Sequence, residues 1–330
     1  MAIVSPSIEL NWSGKSVTGA LAPFVKSFSY IDQQKPGEVS VDTLSLTLNN
    51  GDGRFWDAWH PQSGDVLDAH IKWAEDGKVN IWSLGQFTID SLRFRWRPSE
   101  VIIGASSHIP NNNELHRVQS VRYEDQSLET ILSQCAATLG VTLTTAGLDD
   151  QRITAEQRSE SLQAFLARLS ADWNIPINFK GGKLVAGQAA KSQLDVNPST
   201  SRHLQSLDLP QSVRSSYSAV TVDFFDSQKN ESVVYTEGNA EQGKTLRLYN
   251  IPVSSIDEAR RYAKAQLTSN DTKQEARGRM TWINTPLHSG QEVSFEGIGK
   301  LPKRWFVEQV SASLARGKWF TSATLKRNKD

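Results

Sequence analysis

A repeat in the middle of the chain is the feature that most restricts its fold. The segment SLETILSQCAATLGVTL (127–143) aligns with SLQAFLARLSADWNIPI (161–177) at a constant offset of 34 residues. In each copy the first five apolar residues follow helical spacing and the last two alternate. A period of 34 is also typical of helical solenoids, but two copies that each end in an alternating strand argue against that fold.

The ends of both copies carry residues that begin and end helices. Ser127 and Ser161 immediately precede the apolar runs and are suited to N-capping, while Gly140 and Asn174 suit the C-terminal ends. After the second copy, Gly181–Gly182 supplies a hairpin turn. The central region therefore predicts two helix–strand units and a hairpin, which together form a small α/β unit.

The residues before the repeat have the pattern of β-strands. TLSLTL (43–48) alternates strictly, and residues 87–107 predict a long hairpin whose turn is RPSE. Within this hairpin the apolar phase slips by one residue near Asp90–Ser91. In an element of period two such a slip predicts a β-bulge, which bends a strand towards barrel closure.

The strand pattern returns after residue 207 and resembles the first region. A corner with Pro61, Gly64 and Asp65 precedes the strand FTIDSL, and a corner with Pro286 and Gly290 precedes WFVEQV. One helix interrupts the second region, where Ser255 and Glu258 form a capping box. We expect a protein that is mainly β with an α/β insert, an α+β fold, in which two tube-like β-barrels flank the insert. The expected parts are a first barrel (1–116), the α/β insert (117–188), a polar linker (189–206) and a second barrel (207–330).

Composition narrows the functional classes. Lys and Arg number 36 and equal Asp and Glu, so a general attraction to nucleic acid or to anionic membrane is not expected. The single cysteine, Cys135, excludes an internal disulfide framework and a multi-cysteine zinc site, and it lies on the apolar face of a predicted helix. The beginning of the sequence lacks a basic, apolar leader, and no apolar run approaches the roughly 20 residues of a membrane span.

The segment LTLNNGDGRFWDAWHPQSGDVL (46–67) permits three interpretations. It resembles the start of a calcium loop, but Arg54 and Phe55 replace the oxygen ligands that should follow. Trp56 and Trp59 beside acidic residues could form a sugar clamp. The third interpretation, which the glycines favour, is a turn after a strand, with the two tryptophans covering the end of a barrel. The six histidines show no paired metal spacing, and we expect no catalytic residue, metal site or cofactor.

Several segments, taken in order, resemble the late control protein D family, the baseplate hub proteins of contractile phage tails and R-type pyocin-like particles. The family is similar in architecture to the hub part of VgrG spikes of type VI secretion. The resemblance covers nearly the whole chain and rests on the order and spacing of these segments: Asn49–Gly53 with Trp56, Trp59, Pro61 and Gly64–Asp65; Gly85–Asp90; Val101–Ser106; Ser127–Gly140; the helix 255–268; Pro286, Gly290 and Val293; and Trp305–Val310 with Thr321 and Leu325.

The resemblance implies a structural, non-enzymatic role. It implies a homotrimer in which six similar barrels form a ring, with the tail tube protein, the central spike protein and baseplate wedge proteins as partners. A tape-measure protein and a LysM-bearing tail protein are further implied partners. Nucleic acid would only pass through the lumen, and no membrane insertion is implied. The implied location is the tail baseplate of a virion or particle assembled in the cytoplasm of a bacterial host.

We expect the barrel strands to carry the assembly contacts. The arginine stripe of the long hairpin could also meet phosphates, although such a stripe is more often a solvated strand face. The candidate interface residues are Arg93, Arg95, Arg97, Trp56, Trp59 and Trp305. Two other functions remain open at this point: a peptidoglycan- or glycan-cleaving tail lysin that uses Asp57 or Asp65, and a carbohydrate-binding tail module that uses Trp56 and Trp59.

Overall fold

The structure is a computed structural model that describes residues 6–35, 38–75, 77–148, 152–187, 193–211, 217–226, 230–251, 253, 255–274, 277–315 and 318–327. The helices are α1 (Thr18–Leu21), α2 (Asn112–His116), α3 (Leu128–Leu139), α4 (Leu162–Trp173) and α5 (Ile256–Gln274), with 3-10 turns at Ala22–Phe24 and Arg54–Trp56. The strands are β1 (Ser7–Trp12), β2 (Lys15–Ser16), β3 (Val25–Gln33), β4 (Val39–Val41), β5 (Thr43–Asn49), β6 (Val66–Glu75), β7 (Lys78–Arg95), β8 (Glu100–Ser107), β9 (Val118–Ser127), β10 (Thr142–Ala146), β11 (Arg152–Ser161), β12 (Ile177–Lys180), β13 (Lys183–Gly187), β14 (Gln193–Val196), β15 (Leu204–Asp208), β16 (Tyr217–Asp226), β17 (Glu231–Gly238), β18 (Lys244–Leu248), β19 (Gly278–Ile283), β20 (Glu292–Phe295), β21 (Arg304–Ala315) and β22 (Lys318–Arg327).

Strands from both ends of the chain form one sheet. Among the described residues this sheet contains thirteen strands in two halves that are joined where β3 pairs with β21. In the first half-sheet the order is β3-β5-β8-β7-β6-β1, with β2 beyond β1, and in the second half-sheet it is β15-β19-β22-β21-β20-β14. The strand orders therefore match, although β14 runs parallel to β20 whereas β1 runs antiparallel to β6.

Local details of the two half-sheets also repeat. The amide of Gly64 donates to the carbonyl of Ile89 at 2.8 Å, and the amide of Gly290 donates to the carbonyl of Val307 at 2.7 Å. The register shifts after Ile89 in the β7–β8 pair and after Val307 in the β21–β22 pair. The bulge predicted near Asp90–Ser91 is thus confirmed, and it has a counterpart in the second half-sheet. The sheets remain open, so an arrangement of two closed barrels is not confirmed.

Alternation explains why these strands share one core. Leu44, Leu46 and Leu48 are fully buried, as their spacing predicts. They belong to an apolar cluster that spans both half-sheets, in which Trp82 of β7 lies 5.2 Å from Trp319 of β22, measured between ring centroids. Burial of this shared cluster holds the two halves together.

The α/β unit follows the sequence repeat closely. Ser127 and Ser161 cap α3 and α4, because each side chain accepts a hydrogen bond from the backbone amide three residues later. Gly140 and Asn174 end the helices with a backbone in the left-handed region. Cys135 is buried in the core of this unit, where burial raises the pKa of its thiol to about 11. Each repeat also contains a strand that the sequence did not predict, β9 before α3 and β11 before α4, and the two strands pair with each other.

Three parts of the chain differ from the predicted division. The predicted linker 189–206 contains β14 and the start of β15, while residues 188–192 lie outside the described residues. Strand β4, expected in the first barrel, pairs with β12 of the α/β unit. Strands β16–β18, expected in the second barrel, form their own three-stranded sheet, because Val220, Val222 and Phe224 pack in a separate core with Ala259 and Ala263 of α5.

Candidate assembly surface

The corner between β5 and β6 is a turn whose polar side chains bind its own backbone. Asn50 Oδ1 accepts from the amide of Phe55 at 3.0 Å, and Asp52 accepts from both the amide and the guanidinium of Arg54. Gly53 adopts a φ of 78° at the start of the 3-10 turn. The side-chain oxygens that suggested a calcium loop therefore organise the turn, which is the arrangement that the glycines favoured.

This corner supports the tip of the β7–β8 hairpin through stacked rings. Trp56 stacks on Trp96 with centroids 4.2 Å apart, and His60 stacks on Phe94 at 5.3 Å. Trp96 is 70% exposed and Phe94 is 39% exposed. We call these four residues the aromatic tip. A cluster of exposed rings that is already held in place can contact a partner at a low cost in side-chain entropy.

The three candidate arginines surround the aromatic tip. Arg93, Arg95 and Arg97 are all exposed, and Arg95 Nη1 lies 3.5 Å from Glu100 Oε2. Hydrogen bonding from Lys26, with its charge and that of Arg95, lowers the pKa of the Glu100 carboxyl. Arg93 also lines a shallow groove of about 460 Å³ on the outer face of β3, β5, β7 and β8. The tip and arginines together form a basic, aromatic surface suited to protein contact.

Two further candidate residues are engaged within the chain. Trp59 packs edge-on against Phe24 and Phe55, and the Arg54 guanidinium lies 4.8 Å from its ring centroid. Trp305 is 1% exposed, and its indole Nε1 donates to the Pro302 carbonyl at 2.8 Å. Trp305 is thus a core residue of the second half-sheet, while Trp59 packs against the base of the corner.

The two acidic residues that a lysin could use, Asp57 and Asp65, have different surroundings. Asp65 Oδ2 accepts from the indole of Trp12 at 2.9 Å and from the amide of Gln62 at 3.2 Å. Asp57 is exposed at the end of the 3-10 turn. Asp65 therefore acts as a structural acceptor that fixes the corner. Among the residues that the structure describes, no cluster of His, Cys, Asp and Glu is arranged to bind a metal ion, and no helix combines the length and apolar character that a membrane crossing requires.

A buried polar network, which the sequence analysis missed, joins three segments of the chain. Asp32 of β3 accepts hydrogen bonds from Lys180 of the α/β unit and from Ser289 of the second half-sheet. Nearby, Asp42 accepts from Tyr30 at 2.7 Å and from Asn178 at 3.1 Å. The sequence does carry one signal for this network. Phe28, Tyr30 and Asp32 alternate, so an acidic residue lies on the buried face of a strand.

A cavity of about 490 Å³ lies between the α/β unit and the segment that leads into α5. Several of its charged side chains pair with one another. Arg168 contacts Glu160 at 2.6 Å and Asp172 at 3.7 Å, and Arg158 contacts Glu156 at 2.7 Å. Burial raises the pKa of Asp172, which also accepts from the Tyr262 hydroxyl. The hydrogen bond between Tyr262 and Asp172 therefore joins α5 to the α/β unit.

Comparison with protein families and with curated proteins finds no match for this chain. Among solved structures, it is similar to the 43 kDa tail protein of prophage MuSo2 from Shewanella oneidensis, with 15% identity, a TM-score of 0.66 and coverage of 97% of this chain and 98% of that chain. A tail protein from Neisseria meningitidis MC58 matches with 13% identity, a TM-score of 0.70 and coverage of 98% and 97%.

A third similar structure belongs to a secretion system. It is an Escherichia coli component of type VI secretion, described as structurally similar to the bacteriophage T4 tail proteins gp27 and gp5. It matches with 12% identity and a TM-score of 0.52, covering 93% of this chain and 74% of that chain. The chain therefore has the fold of phage tail proteins and of hub-like proteins of type VI secretion, as its sequence resemblance to baseplate hub proteins predicted.

Proposed function

We propose that this chain is a structural baseplate hub protein of a contractile tail or tail-like injection particle. Three copies form a ring with pseudo-six-fold symmetry that joins the tail tube to the central spike. The observation that carries this proposal is a similarity of fold to two tail proteins. It extends over nearly the full length of this chain and of each of theirs.

The duplicated half-sheets support the symmetry of the proposed ring. Each chain carries two half-sheets of matching strand order, with bulges and corner hydrogen bonds at equivalent places. Three chains would therefore offer six similar surfaces to a six-fold tail tube, while the differences between the halves would retain a three-fold surface for a trimeric spike. Closed rings of this kind are built from matched heterologous contacts.

The proposed partners follow from this position. The ring contacts the tail tube protein on one face and the spike protein on the other, and baseplate wedge proteins surround it. The tape-measure protein and a LysM-bearing tail protein contact the same assembly, and nucleic acid only passes through the lumen. The proposed location is the tail baseplate, with assembly in the cytoplasm of the bacterial host.

The geometry favours this role over the two alternatives. A lysin would need Asp65 free to act on a substrate, but its carboxylate accepts from Trp12 and Gln62. A carbohydrate clamp would need open faces on both Trp56 and Trp59, but one face of Trp56 stacks on Trp96 and the Arg54 guanidinium lies 4.8 Å from the Trp59 ring centroid.

Light scattering on the purified chain tests the proposal. We expect a mass three times that of one chain, no release of fragments from peptidoglycan and no saturable binding to glycans. A monomer that cleaves peptidoglycan, and loses this activity when Asp57 or Asp65 is changed to Asn, would contradict the proposal. A monomer that binds glycans through Trp56 and Trp59 would contradict it equally.

A further inference from the structure

The junction between the two half-sheets inside one chain has a defined register. Strands β21 and β3 pair antiparallel, with Leu314 opposite Phe28, Ser313 opposite Ser29 and Ala312 opposite Tyr30. Ala312, Phe28 and Tyr30 are each at most 1% exposed. This junction therefore buries one edge of each half-sheet.

Equivalent strands can be assigned from the repeated strand order. Strand β7 takes the place of β21, because the β7–β8 pair shifts between Ile89 and Ser91 and the β21–β22 pair shifts between Val307 and Gln309. Strand β15 takes the place of β3, because the β3–β5 pair shifts between Val25 and Ser27 and the β15–β19 pair shifts between Leu204 and Ser206. The equivalents of Leu314, Ser313 and Ala312 are then Trp96, Arg95 and Phe94, and those of Phe28, Ser29 and Tyr30 are Leu207, Asp208 and Leu209.

Both equivalent edges are open among the described residues. Strand β7 pairs with β6 only as far as Thr88, so its later residues have a strand on one side alone. Strand β15 ends the thirteen-stranded sheet. The exposure of the side chains agrees, since Phe94 is 39% exposed whereas its equivalent Ala312 is 0% exposed. An unpaired edge of this kind readily accepts another strand.

We propose that β7 of one copy pairs antiparallel with the β15 end of the next copy and so repeats the internal junction between copies. This inference rests on the proposed trimer and names its contact. In the repeated register Arg95 lies opposite Asp208, Phe94 opposite Leu209 and Trp96 opposite Leu207. Opposite charges and apolar pairs across strands both stabilise such pairing. Each copy contributes both edges, so the contact is heterologous and closes when the third copy is added.

Paired cysteines test this register directly. The variant with Arg95→Cys and Asp208→Cys should form disulfides between copies under mild oxidation, giving covalent dimers and trimers and no larger species on a non-reducing gel. Either single variant should stay uncross-linked, because Cys135 is buried and does not compete. Arg93→Cys with Asp208→Cys is the register control, since residue 93 lies about 7 Å further along the strand, outside disulfide reach.

Light scattering on the same variants separates the two proposals. A trimer in which the 95–208 pair does not cross-link would overturn the junction and leave the proposed hub function standing. A chain that stays monomeric and does not cross-link would overturn both. Cross-linking by the register control as strongly as by the 95–208 pair would also overturn the junction.

Charge reversal provides a second measurement that needs no oxidation. Asp208→Lys should weaken trimer association by about tenfold, because it places a cation opposite Arg95. Glu241→Lys is the matched control at an exposed site outside the junction, and it should leave association unchanged. Equal effects of the two substitutions would contradict the proposed pairing.

Discussion

Asp42 is a buried carboxyl whose ionisation is strongly affected by its surroundings. It is fully buried and accepts hydrogen bonds from Tyr30 and Asn178. Burial, followed by the charge of Asp32, raises the pKa of Asp42 to about 7, while Lys180 and the hydrogen bonds act against this rise. The folded chain therefore holds a proton that an unfolded aspartate would release near pH 4.

This difference predicts how stability depends on pH. Between about pH 4 and pH 7 the folded state binds more protons at Asp42 than the unfolded state, so its contribution to the free energy of unfolding falls as pH rises. The loss should be on the order of a few kcal/mol. Urea unfolding of the wild type and of Asp42→Asn across this interval measures it, and the variant should lack this part of the decline.

The wild type must be compared with Asp42→Asn because His288 also makes stability depend on pH. Its burial and the nearby Lys180 lower its pKa below 6.5, so His288 reduces stability as pH falls. The difference between wild type and Asp42→Asn cancels that contribution. Asp57→Asn, at an exposed site, is the control and should retain the wild-type slope. An equal slope in Asp42→Asn and wild type would show that Asp42 does not titrate in this interval.

Gly85 is a second residue with a distinct role, because it allows close contact between β7 and the α/β unit. Its φ is +101°, and a Cβ atom there would lie 2.7 Å from the Cα of Gly181. We expect Gly85→Ala to destabilise the chain by about 2–4 kcal/mol, from backbone strain and displacement of the β12–β13 hairpin. Gly182→Ala also has a positive φ but meets no atom within 4 Å, so it should cost clearly less in urea unfolding. Equal costs would show that this close contact is unimportant.

At the scale of elements, the two capped helices give the clearest prediction. The Ser127 and Ser161 hydroxyls accept from the amides of Thr130 and Ala164 at 3.1 and 3.2 Å. Each substitution to Ala should lower the free energy of unfolding by about 1 kcal/mol. Ser133→Ala, on the exposed face of α3, is the control and should have little effect or slightly stabilise the helix. A loss from Ser133→Ala equal to that from Ser127→Ala would contradict a capping role.

Local elements could be predicted from the sequence because their signals lie within a few residues. The helical spacing of the repeat, the turn at Gly181–Gly182 and the phase slip at Asp90–Ser91 each gave the correct element. The exposed arginines at the hairpin tip were also identified in this way. The alternation of the hairpin could not reveal that Phe94 and Trp96 lie outside the core. Alternation shows which residues share a strand face, but it does not show whether that face is buried.

Long-range pairing was much less predictable. Strand β3 pairs with β21, which lies nearly the whole chain away, and this register leaves no local trace in the sequence. Strands β14 and β15 are short and polar, so their composition resembles a loop, yet they complete the second half-sheet. Strands β16–β18 alternate like barrel strands, and this pattern does not show that they form a separate sheet whose core is shared with α5.

At the scale of the whole molecule, we propose that the stripe of Arg93, Arg95 and Arg97 takes part in assembly. Reversal of Arg93, Arg95 and Arg97 to Glu should weaken trimer formation or docking to the tail tube by at least about tenfold, because all three are exposed beside an open strand edge. Light scattering and particle infectivity measure the two effects. Reversal of Lys15, Lys78 and Lys183, also exposed, is the control and should change neither. Normal assembly and infectivity of the Arg93/Arg95/Arg97 variant would remove the stripe from the contact.

The central claim is that three copies of a chain with two similar half-sheets form one ring. Negative-stain imaging of the purified assembly tests it most directly. We expect class averages with three-fold symmetry, six similar lobes and a central channel. Averages that show a single copy, or an assembly without a central channel, would contradict it.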